Sequence, residues 1–199
     1  MDIKIKQEGK VKKFKLIKSL EDVTLEKWAK LIDFHSESKS NEALKTIAEL
    51  SDIPEKLIKR LELSDVAVIM QKISDLQKGK NSSLTNIVTI DDVEYGFHPN
   101  LDNLTLGEYA DIETFIKDGV NKNLPEVMAI LYRPIVKKEK DVYTIEAYDG
   151  DITIRAEKMK QMNAAQVQYA LVFFWNFVNV LLMITELYLK EQIKKKKSL

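Results

Sequence analysis

The chain has 199 residues, with 31 Lys and Arg, 31 Asp and Glu, and no cysteine. The balanced charge argues against a nucleic-acid partner, which needs a basic surplus, and the missing cysteines exclude disulfides, thiolate metal sites and a cysteine nucleophile. With 45% apolar and 31% charged residues the chain is expected to fold. Its first ten residues contain no long apolar run, so we expect no secretory signal.

The first part of the chain alternates between strand and helix patterns. Residues 3–17 alternate Ile with Lys around Gly9, which predicts a lysine-rich β-hairpin. Thr24 is a good helix N-cap, and apolar residues follow it at helical spacing as far as Phe34. Similar spacing predicts helices over 42–50 and from about 65 to 77, with a short helix after Pro54 between them.

After a Lys-, Gly-, Asn- and Ser-rich linker the pattern begins again. Residues 87–97 predict a second hairpin with its turn at Asp91 and Asp92, and residues 100–115 align with residues 19–34 at a constant offset of 81. The shared order and the ungapped offset predict a diverged duplication. An insertion, 134–151, precedes the last helix and is interpreted as a third hairpin turning at Asp149-Gly150.

The sequence therefore predicts a mainly α fold with short β-hairpins, at the margin of α+β. It predicts a first half over 1–78, a linker over 79–86 and a second half over 87–199. The second half contains the inserted hairpin and ends in a long apolar helix, interpreted as the counterpart of the helix over 64–77 in the first half.

The most apolar stretch, residues 164–189, contains neither Pro nor Gly. Its polar residues fall on one narrow helical stripe, so most of the helix surface must be covered. A core helix, an oligomer interface or a membrane segment would each cover it. A membrane span is not favoured, because Asn176, Asn179 and Glu186 are costly in lipid, although the lysine run 194–197 would suit a cytoplasmic flank. Because large aromatics commonly anchor interfaces, the predicted contact residues are Phe173, Phe174, Trp175, Phe177, Leu181, Leu182 and Tyr188.

Catalytic chemistry has no visible motif in the sequence. GxxxxGK[ST], GxGxxG, GxSxG and HExxH patterns are absent. His35 and His98 have no His or Cys neighbour at ligand spacing, so we expect no metal site and no cofactor. The acidic pair Glu108 and Asp111 is placed like a helix surface, and Arg133 after an apolar helix favours a structural role. The chain is predicted not to be an enzyme.

The order of a hairpin, LEDVTLEKWAKL, ALKTIAELSDIPEKLIKRL, a second hairpin, LTLGEYADIETFI and VMAILYRPI resembles small proteins encoded among the head and tail genes of tailed bacteriophages, including crAss-like and related phages. The resemblance spans about residues 14–136. It implies a non-enzymatic virion component or a tail-assembly chaperone, located in the virion or the host cytoplasm. Other virion or assembly proteins would be its partners, and the apolar helix favours a homo-oligomer. A membrane-associated protein anchored by the C-terminal helix is the alternative.

Overall fold

The computed structural model describes residues 1–7, 10–34, 37–77, 83–140 and 142–176. We refer to residues 1–77 as unit A. Its elements in chain order are β1 (Asp2–Gln7), β2 (Lys10–Lys15), a 3-10 turn (Leu20–Asp22), α1 (Leu25–Phe34), α2 (Lys39–Leu50), α3 (Glu55–Ile58) and α4 (Leu63–Gln77).

We refer to residues 83–176 as unit B. Its sheet is antiparallel, with the strand order β3-β4-β5-β6. In chain order the elements are β3 (Ile87–Ile90), β4 (Val93–Phe97), a 3-10 turn (Leu101–Asn103), α5 (Leu106–Lys117), α6 (Leu124–Leu131), β5 (Tyr132–Glu139), β6 (Val142–Ile145), α7 (Thr153–Met159) and a helix α8 over residues 164–176.

The fold is α+β, so the prediction of a mainly α fold with short hairpins is wrong. The difference lies in β5, which follows α6 without a loop and pairs with β4 as well as with β6. Phe97 lies opposite Tyr132 and Tyr95 opposite Pro134, which joins the two hairpins of unit B into one four-stranded sheet. Pro134 lacks a backbone N–H and is therefore a weak strand signal.

In both hairpins of unit B, two residues separate the last paired residues of the strands, but only the first hairpin turns where the sequence predicts. Asp91 and Asp92 have φ values of 49° and 61°, which suit the type I′ turn of a two-residue hairpin, and Ile90 pairs with Val93 across it. The third hairpin does not turn at Asp149-Gly150. Glu139 pairs with Val142, so its turn lies about ten residues earlier in the chain.

The two units share their backbone hydrogen bonds at the offset of 81. In both, a residue that closely follows β2 or β4 donates to the last residue of the second helix: Ile17 N–H to Leu50 O at 3.0 Å, and His98 N–H to Leu131 O at 2.7 Å. The bridge between Leu16 and Ser51 matches the pairing of Phe97 with Tyr132. The 3-10 turns begin at equivalent residues, as do α1 and α5.

The equivalence continues after the inserted hairpin, with the offset increased to 101. α3 and α7 end at equivalent residues, and α4 and α8 begin at equivalent residues. Three backbone hydrogen bonds repeat at this offset. In unit A they run from Lys59 to Glu55, from Arg60 to Leu57 and from Val66 to Glu62. Their equivalents in unit B run from Lys160 to Ala156, from Gln161 to Lys158 and from Val167 to Asn163. Outside the inserted hairpin the units therefore have equivalent helices and equivalent backbone contacts, while their origin by duplication stays a prediction.

Each unit has its own apolar core, and each core includes one fully buried residue from the other unit. Leu25 of unit A is buried in the core of unit B, and Ala164 of unit B is buried in the core of unit A. This exchange fixes the beginning of α1 against the beginning of α8.

The C-terminal helix is described as far as residue 176. Within the described ranges no helix combines the length and the apolar character needed to cross a bilayer. Of the predicted linker 79–86, residues 79–82 fall outside those ranges, and residues 83–86 lead into β3.

Candidate protein-interaction site

One face of α8 belongs to the core of the protein. Ala164, Val167, Ala170 and Phe174 are buried at spacings of three and four residues, as expected for one helical stripe. Three of these four side chains are small or β-branched, so the helix lies close to its neighbours. The buried face is therefore used within the chain.

The other face of α8 exposes three large apolar side chains. Val172, Phe173 and Trp175 are 58%, 48% and 37% exposed; we refer to these three residues as the apolar patch. The equivalent helix of unit A, α4, has polar residues at the same three positions: Gln71, Lys72 and Ser74.

The structure separates the predicted contact residues into three groups. Phe173 and Trp175 lie at the surface, in the apolar patch. Phe174 is only 1% exposed, and its ring lies 6.0 Å from that of Trp175, so it contributes to the core of this chain. The other four lie outside the described residues: Phe177, Leu181, Leu182 and Tyr188.

An open cavity of about 830 Å³ lies beside the apolar patch. Phe173 lines it and packs edge-on against Phe97, with the ring centroids 5.6 Å apart. Val142 and Tyr143 line it from β6. The Tyr143 hydroxyl donates to the carbonyl of Phe97 at 2.7 Å, which fixes the position of its ring. The cavity thus extends the apolar patch towards the sheet.

A buried ion cluster connects α5 with β5 and the end of β4. Glu108, Arg133 and His98 are all buried. Arg133 Nη2 lies 2.5 Å from Glu108 Oε1, and His98 Nε2 lies 3.7 Å from the same oxygen. Glu108 also caps α5, because its Oε2 accepts the Thr105 N–H at 2.6 Å while the Thr105 hydroxyl accepts the Glu108 N–H at 3.2 Å.

The electrostatics of this cluster follow from burial. Burial lowers the pKa of His98, and the nearby Glu108 carboxylate only partly opposes that effect. Burial also lowers the pKa of Arg133, whose guanidinium nevertheless stays charged because its ordinary pKa is very high. Arg133 lies 5.8 Å from the centre of the Tyr148 ring, and Tyr148 donates a hydrogen bond to Asp111.

The two carboxylates that the sequence presents as an acidic pair are thus both engaged within the protein. Glu108 is paired with Arg133, and Asp111 accepts the Tyr148 hydroxyl. Both contacts tie α5 to the sheet and to the loop that follows it. In the part of the chain that the structure describes, no group of three His, Cys, Asp or Glu side chains could hold a metal ion.

Only part of this arrangement could be inferred from the sequence. The pattern Thr105-x-x-Glu108 is a capping-box signal, and it identifies the backbone role of Glu108. The pairing with Arg133 has no local signal, because the two residues meet only once β5 has joined the sheet beside β4. The exposure of the apolar patch likewise depends on which helix face the core uses.

Comparisons of the chain with protein-family models, with curated proteins and with solved structures find no match. The fold defines an α+β protein built from two structurally equivalent units. Its interpretation therefore rests on its own residues and contacts.

Proposed function

We propose that this protein works without catalysis, through contacts with other protein chains, as a structural or assembly component of a tailed-phage particle. The observation that supports this proposal most is the apolar patch on α8. Unit A folds with polar side chains at the three equivalent positions, so the fold of a unit does not require apolar residues there. Exposed apolar residues that the fold does not need are typical of interaction sites.

The chemistry of the patch suits a protein partner. Phe173 and Trp175 are large and stiff, and such residues are frequent anchors of interfaces. Burying one large apolar side chain contributes about 1.5–3 kcal/mol. The adjacent cavity offers a recess for a partner side chain, lined by Val142, Tyr143 and Phe173.

The phage assignment is supported by the resemblance over residues 14–136. Within it, a virion component is our first choice and a tail-assembly chaperone the second. The two differ in whether the protein is present in the finished particle. Mass spectrometry of purified particles and of assembly intermediates from infected cells separates them.

A constant copy number in finished particles would identify a virion component, and presence in intermediates alone would identify a chaperone. Absence from both would overturn the proposal. A carbonate wash of membranes tests the membrane-anchored alternative, because an anchored protein stays in the pellet.

The patch itself is tested by substitution. Phe173→Ser with Trp175→Ser removes two exposed aromatics, so we expect normal circular dichroism and a loss of incorporation into particles or intermediates. Val11→Ser is the matched control, since Val11 is a similarly exposed apolar residue on the hairpin of unit A. Unchanged incorporation of the double variant would show that the apolar patch is not the contact surface.

A further inference from the structure

The two units of the chain are joined by a short backbone contact. The N–H of Leu25 donates to the carbonyl of Met162 at 2.6 Å, and the N–H of Ala164 donates to the carbonyl of Val23 at 2.7 Å. Thr24 and Asn163 form an antiparallel bridge between these two bonds. The beginning of α1 thus provides one edge of the contact, and the segment that leads into α8 provides the other.

Each unit contains an equivalent of both edges. Within the chain, unit A uses only the edge at the beginning of α1, and unit B uses only the edge that leads into α8. In unit B the equivalent of Leu25 is Leu106, the first residue of α5. In unit A the equivalent of Ala164 is Leu63, the first residue of α4. Leu25 and Ala164 are completely buried, whereas Leu106 is 84% exposed and Leu63 is 86% exposed.

We propose that a second copy of this chain covers these two edges, with Leu106 of one copy and Leu63 of the next copy reproducing the contact between units A and B. This inference rests on the proposed function and names one partner for it. Each copy has a free edge of each kind, so the copies associate head to tail. Such an interface produces a ring if its rotation closes and a filament if it does not.

The backbone groups needed for this contact are free. The N–H groups of Leu63, Leu106 and Gly107 have no acceptor among the described residues. In the proposed contact Leu106 N–H donates to Leu61 O of the second copy, and Gly107 N–H donates to Lys59 O. These bonds are the equivalents of Leu25 to Met162 and of Glu26 to Lys160.

The side chains on the two edges also suit each other. Leu25 packs beside Met162 and Val167 in the core of unit B, and the equivalents in unit A, Leu61 and Val66, are apolar and only partly buried. Leu106 of a neighbouring copy would meet them there. On the opposite edge, a Cβ added at Gly107 would meet nothing closer than 3.9 Å, so this glycine leaves room for the larger Leu63.

The test is light scattering on a gel-filtration column with the full chain, the Leu63→Asp variant and the Leu106→Asp variant. We expect the unmodified chain to elute as an oligomer and each variant to fall to the mass of one chain, 23.0 kDa. Both leucines are exposed, so neither change should alter the circular dichroism. Each variant keeps one intact edge, and those two edges are complementary. An equimolar mixture should therefore form a 1:1 dimer of twice the single-chain mass and stop there.

The mixing experiment distinguishes this specific contact from nonspecific hydrophobic association. Val136→Asp is the matched control, because Val136 is an exposed apolar residue on β5 and should leave the oligomer unchanged. A monomeric unmodified chain at the highest soluble concentration overturns the proposal, as does a mixture that remains monomeric. An oligomer that survives both Asp substitutions but is lost with Phe173→Ser and Trp175→Ser overturns the head-to-tail contact alone. The proposed function would stand in that case, and particle analysis tests it separately.

Discussion

Units A and B have the same backbone plan and different charged side chains. At equivalent positions unit A carries Lys27 and Asp52, and unit B carries Glu108 and Arg133, so the order of the charges is reversed. Asp52 is exposed and accepts the N–H of Lys15 at 2.6 Å, whereas Glu108 and Arg133 are buried and paired. The comparison shows that the backbone hydrogen bonds and helix caps are common to both units, whereas the charged side chains at equivalent positions differ.

The inserted hairpin accounts for the difference in burial. Unit B contains β6 and the loop with Tyr148, which lies over Arg133. In the described part of unit A no strand or loop takes their place, and its charged residues at these positions, Lys27 and Asp52, stay nearer the surface. Covering a pair of charges makes it more sensitive to substitution, because a buried charge that loses its partner is not stabilised by water.

The largest expected effect concerns the helix that differs most between the units. Phe174 occupies the position of Ile73 and is buried, whereas its neighbour Phe173 is half exposed. We expect Phe174→Ala to lower the free energy of unfolding by about 3–5 kcal/mol, as for other buried aromatics. Urea unfolding followed by tryptophan fluorescence measures it. Phe173→Ala is the control, and an equal loss in both variants would show that the two faces of α8 are not distinct.

The second prediction concerns the reversed charges. Glu108→Gln keeps the shape of the side chain but leaves the buried Arg133 charge without its partner, so we expect a loss of about 3 kcal/mol. Lys27→Gln at the equivalent position of unit A should cost less than about 0.5 kcal/mol, because that side chain is partly exposed. Chemical denaturation of both variants compares the units directly. Similar losses would mean that burial does not distinguish the two positions.

The local features of both units could be predicted from the sequence. Thr24 and Thr105 identify the starts of α1 and α5, and Asp91-Asp92 identifies a tight turn, because caps and turns depend on residues close together in the chain. The offset of 81 also pointed to regions that have the same backbone hydrogen bonds.

The tertiary features could not be predicted in the same way. The pairing of β4 with β5 joins residues about 35 apart, and Pro134 within β5 weakens the strand pattern. The pairing of Arg133 with Glu108 depends on that sheet. Likewise, the segment 164–176 is apolar on almost every side, so its sequence does not show that Phe174 faces the core while Phe173 faces outwards.

The third prediction tests whether the shared caps are equally important. The Thr24 hydroxyl accepts the Lys27 N–H at 3.3 Å, and the Thr105 hydroxyl accepts the Glu108 N–H at 3.2 Å. We expect Thr24→Ala and Thr105→Ala each to cost about 1 kcal/mol, with recovery in the corresponding Ser variants. Thermal unfolding of the four variants gives the comparison. A loss confined to one unit would mean that the equivalent caps do not stabilise the units equally.

The smallest expected effect is a change in pH dependence. His98 takes the position of Ile17, and burial lowers its pKa below the ordinary value of 6.5. The unfolded chain therefore binds a proton at a higher pH than the folded chain, so the stabilising contribution of neutral His98 is present above pH 6.5 and is lost as the pH falls through the folded-state pKa.

His98→Ile places the unit A residue in unit B and removes this titration. We expect the free energy of unfolding to fall less between about pH 7 and about pH 5 in the variant than in the unmodified chain. Urea unfolding at both pH values measures the difference, and His98→Gln is a polar control that does not titrate. An undiminished pH dependence in both variants would mean that other groups titrate in this range. A reduced pH dependence in both variants would show that it arises from His98, the buried histidine of the ion cluster. Unit A has no titratable residue at the equivalent position.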